Sequence, residues 1–305
     1  MRLLTLAFLL LNLYSRAQVT DSVAPKKDTS LMQMLDAGSA SKKQYATGTF
    51  LTTRLINGHS VEMIGKGVLD IKIQHRFGTV NGGIYEFFGL DEASIRIGGD
   101  YGITDWLNVG IGRSSFEKQY DGFAKFRLLR QSKGGSPISL TGLAGIYVTA
   151  LEFFDTTIAD NFANRTSYVF QLFAARKITE GLSLQLMPSW VHYNLVPNPG
   201  DPRDTYAIGI GGRQKLSRRI SLNVEYYYRV GTTMQGTVNP FSVGFDIGTG
   251  GHVFQVMFTN STGIAENQHI AKTTGTWGDG DIHFGFNISR VFNIGNKKKE
   301  EPKKW

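Results

Sequence analysis

Apolar and polar residues alternate along much of this chain. In residues 94–112, SIRIGGDYGITDWLNVGIG, Ile95 and Ile97 share one parity, whereas Arg96 and Asp100 share the other. Successive side chains of a β-strand point to opposite faces, so the alternation predicts strands with one apolar and one polar face. Two folds have such strands. In a soluble sandwich the apolar faces share a core, and in a membrane barrel they contact lipid.

The pattern recurs from residue 67 onward and predicts twelve strands. They are expected at 67–77, 94–103, 106–115, 119–130, 137–150, 166–177, 181–193, 204–216, 219–230, 239–248, 251–260 and 281–292. Tight connections, such as 104–105, alternate with long ones, such as 151–166. Short periplasmic turns and long external loops are typical of bacterial outer-membrane barrels. No helix is predicted after residue 44.

The polar parity indicates which face contacts lipid. It mixes glycine, serine and asparagine with opposite charges four residues apart, such as Glu225 and Arg229. Such charges suit a lumen, where they can pair across strands. Aromatic residues such as Trp190 and Tyr206 lie near strand ends, as expected at a membrane interface. The sequence therefore predicts a single antiparallel, up-and-down transmembrane β-barrel of about twelve strands, with its isoleucines facing lipid.

Residues 47–67 also alternate, but their apolar face is poor. Counting them as a membrane strand would give thirteen, and single-chain bacterial barrels have even numbers of strands. We therefore interpret residues 45–66 as a strand-like arm folded into or under the lumen. A fourteen-stranded barrel, with another strand before this one, is the alternative.

The termini predict export to the outer membrane of a Gram-negative bacterium. Arg2, an apolar run from Leu3 to Leu13 and small residues before Gln18 have the layout of a cleaved signal peptide. The last strand ends on Phe292, resembling the aromatic-ended strand that barrel assembly machinery reads. The predicted organisation is a signal peptide (1–17), a periplasmic linker (18–44), the arm (45–66), the barrel (67–293) and a charged C-terminal tail (294–305).

The polar parity defines a set of candidate lumen-lining residues. They are Asp70, Lys72, Gln74, Arg76, Arg96, Asp100, Lys125, Arg127, Arg213, Asn223, Glu225, Arg229, Asp246, Gln255 and Asn287, with Gln171 and Gln185 on the same face. Basic residues outnumber acidic ones, so a conducting pore would mildly favour anions. Alternatively, the charges pair with one another and plug a narrow barrel. The sequence leaves both open.

Other chemistry finds little support. The chain has no cysteine, and its six histidines never occur at metal-ligand spacing, so no metal or cofactor is expected. Part of the formal net charge of +8 lies in the terminal tail, and no basic cluster predicts nucleic-acid binding. His283 and Ser289 share a face but lie about 20 Å apart along a strand. Other candidates for catalysis, at a loop rim, are better interpreted as solvated loop residues: Asp201, Asp204, Glu266 and His269.

Several stretches resemble an uncharacterised family of Gram-negative outer-membrane β-barrel proteins that carries a domain of unknown function. They include INGHSVE (56–62), YDGFAKFRLLRQS (120–132) and FDIGTGGHVFQ (245–255). The resemblance covers about residues 45–293. It implies a barrel and its location, and it brings no substrate or catalytic residue.

These observations predict, first, a passive pore or transporter for a small polar or anionic solute. The first alternative is a non-conducting structural or docking barrel whose arm or tail engages a periplasmic partner. The second is an outer-membrane enzyme that cleaves lipid or peptide, although no motif requires catalysis. In each case the expected surroundings are outer-membrane lipid and, during biogenesis, the barrel assembly machinery.

Overall fold

A computed structural model of the protein describes residues 44–153 and 157–295. The predicted signal peptide, the linker as far as residue 43 and the tail from residue 296 lie outside these residues.

Twelve antiparallel strands form a closed barrel in which each strand pairs with its sequence neighbours and β1 pairs with β12. The strands are β1 (Val68–Thr79), β2 (Ala93–Gly102), β3 (Leu107–Ser114), β4 (Gln119–Leu129), β5 (Ser139–Thr149), β6 (Thr166–Lys177), β7 (Leu182–Tyr193), β8 (Asp204–Lys215), β9 (Ile220–Val230), β10 (Phe241–Thr249), β11 (His252–Thr259) and β12 (His283–Asn293). The predicted fold is confirmed, and closure by twelve strands excludes the fourteen-stranded alternative.

The connections fall into two classes that define the two ends of the barrel. The short-turn end contains 103–106, 130–138, 178–181, 216–219 and 250–251. The long-loop end contains 80–92, 115–118, 150–165, 194–203, 231–240 and 260–282. The alternation of short and long connections predicted from the sequence is therefore present, and 115–118 is the short exception at the long-loop end.

The outer face of the barrel is apolar. Ile97 is 55% exposed and Ile111 is 73% exposed, although both lie in the middle of the chain's most regular strands. Aromatic side chains are exposed near strand ends, including Trp106, Trp190, Tyr206, Tyr228 and Phe292. A soluble protein would bury this much apolar surface, so the outer face fits a lipid environment.

Two segments outside the strands lie in the interior. Residues 49–64, which we call the plug hairpin, turn back on themselves through an Arg54–His59 bridge, and the amide of Leu55 donates to the carbonyl of Gly58. From the opposite end, the loop after β11 contains a six-residue helix, α1 (Glu266–Ala271), whose residues are all buried. The sequence analysis predicts no helix here, so α1 is a correction. It is too short, and too fully buried, to show an amphipathic period.

The seam between β1 and β12 depends on a close glycine contact. Gly67 has φ +75°, and its carbonyl accepts hydrogen bonds from the amides of Ile294 and Gly295. A β-carbon on Gly67 would lie 2.8 Å from Gly295 Cα. Glycine is therefore needed where the hairpin leads into β1.

Among the described residues, no helix has the length and hydropathy to cross a membrane.

Candidate functional site

The plug hairpin fills the middle of the barrel. At its tip, Leu55, Asn57 and His59 are 0% exposed, and Arg54 is 1% exposed. Gly58 at the turn lies so close to the wall that a β-carbon would meet the Tyr227 hydroxyl at 2.3 Å. These side chains have almost no contact with solvent, so the hairpin tip fills the lumen at this level.

Side chains of the wall bind the backbone of the tip. The Glu225 carboxylate accepts hydrogen bonds from the amides of Ile56 (3.2 Å) and Gly58 (3.1 Å). The side-chain amide of Gln255 donates to the backbone carbonyl of Leu55 at 3.1 Å. The side-chain amide of Asn287 donates to the backbone carbonyl of Ile56 at 3.1 Å. The barrel thereby satisfies buried backbone groups that a two-residue turn leaves unpaired.

Asn57 binds the wall through its side chain. Its Oδ1 accepts from Arg76 Nη2 at 2.7 Å, and its Nδ2 donates to the hydroxyl of Ser242 at 2.9 Å. The oxygen and the nitrogen of this amide therefore each have a partner on the wall. The two contacts fix the orientation of the hairpin tip within the barrel.

The returning strand of the hairpin is held in the same way. Lys125 Nζ donates to the carbonyls of Ser60 and Glu62, both at 2.6 Å. Gln185 accepts from the amide of Val61 at 2.6 Å and donates to the carbonyl of His59 at 2.8 Å. The ammonium group of Lys125 is thus stabilised by carbonyl dipoles of the hairpin, and it has no carboxylate at hydrogen-bond distance.

The remaining buried charges of the wall pair across strands. Lys72 on β1 binds Asp70 at 2.7 Å and also Asp100 on β2. Arg96 on β2 binds Asp121 on β4 through two nitrogens, with Nε to Oδ2 at 2.9 Å. A bidentate arginine–carboxylate pair is among the strongest polar contacts available in a buried site.

The inner wall consists of two unlike regions. We call the inward side chains of β1, β2 and β9–β12 the polar sector, because most of them are polar. The apolar sector is the inner face of β4–β8, where these residues are buried: Phe123, Leu143, Val169, Phe173, Met187, Val191 and Ala207. Leu55 at the hairpin tip packs with this sector, and its methyl Cδ2 lies beside Gly211 and Met187. Strand alternation did not predict these inward apolar residues.

The hairpin and α1 meet at a buried ion pair. Arg54 binds Glu266, whose second oxygen accepts a hydrogen bond from the Tyr147 hydroxyl at 2.5 Å. His59 Nε2 lies 3.2 Å from the first oxygen of Glu266. Elements that enter from opposite ends of the barrel therefore share one carboxylate.

The environment of this pair sets its protonation. Burial, followed by the nearby positive charge of Arg54, lowers the pKa of His59 from 6.5 to about 3. Burial acts to raise the pKa of Glu266, but the positive charge of Arg54 holds it well below 4.5. At neutral pH the cluster is therefore an ionised carboxylate, a guanidinium and a neutral imidazole.

The candidate lumen residues differ in burial. Thirteen of the fifteen are buried inside the barrel, whereas Arg127 and Arg213 near the short-turn end are partly exposed. Gln171 and Gln185 are also buried. In the closed structure many of these side chains bind the hairpin or one another, whereas Arg96 binds Asp121 and Arg127 donates to the carbonyl of Asp105. Arg229 and Glu225 are not partners: Arg229 binds Thr237 and Asn239 in the loop after β9.

Residues that the sequence analysis did not select complete the site. Asp121, the partner of Arg96, shares the inward parity of β4 with Lys125, and that parity could have identified it. Arg54 and His59 lie in or beside INGHSVE, which the family resemblance singled out without a role. Tyr147 has no such signal.

The interpretation of Glu266 and His269 as solvated loop residues is wrong. Both are buried, at 1% and 0% exposure, because their loop folds into the barrel. The other catalytic candidates have separate partners. His283 binds the Phe77 carbonyl and Thr262, Ser289 donates to Asp70, and Asp204 binds Trp190 and His192. Within 44–153 and 157–295, no group of three or more His, Cys, Asp or Glu side chains could hold a metal ion.

A cavity of about 350 Å³ opens at the long-loop end, above α1. Its lining combines Tyr193, Asn267 and Lys272 with apolar residues of the loops after β5 and β7. Asn267 and Lys272 lie at and just after α1, so this cavity ends at the element that carries Glu266.

The family model described as "Membrane bound beta barrel domain (DUF5777)" matches residues 50–292. The chain belongs to this family. Its matched region begins inside the plug hairpin and ends in β12, so the hairpin tip is part of the DUF5777 domain. This confirms the family resemblance that the sequence analysis stated.

Solved structures with a similar fold include outer-membrane channels. The KdgM porin is 10% identical, with 74% of this chain and 99% of that chain covered and a TM-score of 0.45. The NanC porin is 8% identical, with 73% of this chain and 98% of that chain covered and a TM-score of 0.46. An outer membrane channel from Pseudomonas putida F1 is 15% identical, with 76% of this chain and 97% of that chain covered and a TM-score of 0.44. No curated protein sequence matches. This DUF5777 protein is a membrane-bound β-barrel.

Proposed function

We propose that the protein is a gated outer-membrane channel for a small polar or anionic solute, and that withdrawal of the plug hairpin opens it. The observation that carries the proposal is the way the tip is held. Its contacts with the polar sector include hydrogen bonds that Glu225 accepts and that Gln255 and Asn287 donate, and water can replace each of them when the hairpin leaves.

The charges of the wall support the solute class. Without the hairpin, Lys125 and Arg76 would lose their carbonyl and amide partners and would face the lumen. Basic wall residues would then exceed acidic ones, and lining charge sets the selectivity of a pore. We therefore expect an open state that prefers anions.

The burial of residues 49–64 argues against a docking role for this part of the arm, because a segment that binds a periplasmic partner has to be accessible. For the enzyme alternative, the pair considered from the sequence is not assembled, since His283 and Ser289 each bind other groups. A gated channel and a non-conducting barrel both have a plugged lumen, so conductance of the protein with its hairpin released distinguishes them.

The first test dislodges the tip. A leucine at Gly58 would clash with Tyr227 and Glu225, whereas an alanine at Gly65, in the same arm, has room. In planar bilayers with a salt gradient, we expect Gly58→Leu to spend more time open than the wild type, with an anion-selective reversal potential. Gly65→Ala should behave as the wild type does.

The second test locks the arm. Tyr45 and Ser132 form an isolated antiparallel bridge between the arm and the turn after β4, and the chain has no native cysteine. A Tyr45→Cys/Ser132→Cys disulfide should suppress openings of Gly58→Leu, and reduction should restore them. The proposal fails if thiol labelling at Ser60→Cys shows the hairpin released while no conductance is observed.

A further inference from the structure

The returning strand of the plug hairpin, residues 59–64, is bound to the wall through its backbone. Gln185 on β7 donates to the carbonyl of His59 at 2.8 Å and accepts from the amide of Val61 at 2.6 Å. A strand that adds to a sheet edge is bound through backbone donors and acceptors of the same kind. One glutamine side chain therefore takes the place of a neighbouring strand.

Other strands of the wall continue this pattern along the returning strand. Thr141 on β5 donates to the carbonyl of Val61 at 3.1 Å. Asn108 on β3 accepts from the amide of Ile64 at 2.8 Å and donates to the carbonyl of the same residue at 3.0 Å. None of these bonds involves a side chain of the hairpin. Another peptide in the same extended conformation could therefore make all of them.

The wall also has a position for one apolar side chain. The Leu55 side chain is 0% exposed, and a β-carbon on Gly211 would lie 2.1 Å from its Cδ2 atom. The same β-carbon would lie 3.3 Å from the methyl group of Met187. The absence of a side chain at Gly211 thus leaves the space that Leu55 fills. Recognition of extended peptides combines these two features, since backbone hydrogen bonds give affinity and side-chain pockets give specificity.

We propose that the lumen vacated by the plug hairpin is a binding site for a short, extended peptide, and that the hairpin occupies this site as a tethered competitor. The inference rests on the proposed withdrawal of the hairpin and names the class of the polar solute. A small inorganic anion offers only acceptors, so it would leave the acceptor oxygens of Gln185 and Asn108 without a partner. A peptide offers donors and acceptors to both residues.

The first comparison removes the competitor. The probe is a fluorescein-labelled peptide of residues 54–64, RLINGHSVEMI, with capped ends, and its binding to the full chain in detergent micelles is measured by fluorescence anisotropy. Gly58→Leu displaces the tethered hairpin because its side chain would clash with Tyr227 and Glu225. A short tether gives a competitor a millimolar effective concentration, so Gly58→Leu should bind the probe at least about tenfold more tightly than the wild type.

The second comparison locates the bound peptide within the lumen. In the Gly58→Leu protein, Gln185→Ala should weaken binding by about tenfold, because two hydrogen bonds to the peptide are lost. The matched control is Gln171→Ala, which should change binding by less than about twofold. Gln171 is also a buried, inward glutamine, but it donates to Ser189 of the wall.

The third comparison tests recognition of the backbone itself. An ester in place of the Val61 amide of the probe removes the N–H that Gln185 accepts and adds no bulk. The ester should weaken binding to Gly58→Leu and should have no effect on binding to Gly58→Leu/Gln185→Ala. Equal weakening in the two proteins would mean that Gln185 does not bind this peptide group, which would overturn the proposal.

The remaining outcomes separate the peptide site from the channel. Equal binding to the wild type and Gly58→Leu, or equal effects of Gln185→Ala and Gln171→Ala, would overturn the peptide site. Salt conductance of Gly58→Leu without the probe tests the channel alone, so binding without conductance would support the site and contradict the channel. If Gly58→Leu lacks the heat-sensitive gel migration of a folded barrel, Asn57→Ala replaces it, because this change removes the bonds of the tip to Arg76 and Ser242.

Discussion

The polar and apolar sectors of the inner wall hold the same hairpin by different physics. In the polar sector, Glu225 and Asn287 make directional hydrogen bonds to the backbone of the tip, and these specify one position of the hairpin. In the apolar sector, Met187 and its neighbours pack against Leu55 without such direction. The hydrogen bonds that Lys125 on β4 and Gln185 on β7 make to the hairpin reach only its returning strand. Withdrawal would let water replace the hydrogen bonds but would expose apolar wall to water. The comparison therefore teaches that the polar sector positions the plug and the apolar sector opposes its release.

The largest effect should come from the contact that joins the hairpin to α1. Arg54→Ala leaves the buried Glu266 carboxylate without its guanidinium, and breaking one partner of a buried pair costs about 3–5 kcal/mol. We expect that loss in urea unfolding of the reconstituted protein, together with faster labelling of Ser60→Cys. Arg54→Ala/Glu266→Ala should recover part of the loss. Stability within about 0.5 kcal/mol of the wild type would show that the pair does not hold the plug.

The apolar sector is tested by Leu55→Ala. Removing a fully buried leucine costs about 2–5 kcal/mol, and its contact with Met187 would be lost. The same unfolding measurement should give that value, and the open fraction in bilayers should rise. The control is Leu51→Ala, because Leu51 in the same hairpin is 38% exposed and should cost less than about 1 kcal/mol. Equal losses of unfolding free energy for the two variants would show that the apolar sector does not hold the hairpin.

The polar sector is tested by Glu225→Gln. The amide keeps the shape of the carboxylate but weakens its charge-assisted bonds to Ile56 and Gly58, for a loss of about 1.5–2 kcal/mol. Glu180→Gln, in an exposed turn with Lys177, provides the control and should be nearly neutral. If Glu225→Gln opened the channel more than Leu55→Ala does, the proposed division between the sectors would be reversed.

The smallest expected effect is a dependence of channel opening on pH through His59. Burial and Arg54 lower the pKa of His59 to about 3 while the hairpin is in place, and a withdrawn His59 would titrate near 6.5. Protonation therefore favours the withdrawn state below pH 6.5, by up to about tenfold per pH unit until pH 3. Bilayer recordings should show more openings at pH 5.5 than at pH 7.5. His59→Gln should reduce that difference, and an unchanged difference would exclude His59 as its source.

Alternation alone predicted the barrel well. Every predicted strand boundary from residue 67 onward lies within two residues of the observed one, because a lipid-facing strand must repeat its apolar side chain at every second position. The same rule gives the outward direction of Ile97 and Ile111 and the inward direction of Arg96 and Asp100.

The contents of the lumen could not be predicted in this way. Two partners of Asn57, Ser242 on β10 and Thr259 on β11, are more than 180 residues away, and no local pattern encodes such a contact. Inward apolar residues such as Phe173 are intelligible only once the hairpin that covers them is known. The burial of Glu266 likewise depends on a loop that turns inward, although its composition is that of an ordinary surface loop.

The pairing of β1 with β12 has a consequence for biogenesis. The plug hairpin precedes the first strand, and the seam that encloses it needs the last strand to be translated. The ring therefore cannot be completed until almost the whole polypeptide has been exported. A hairpin that already lies between the strands would be enclosed when β12 pairs with β1. A hairpin that enters later would have to pass through the short-turn end of the closed barrel.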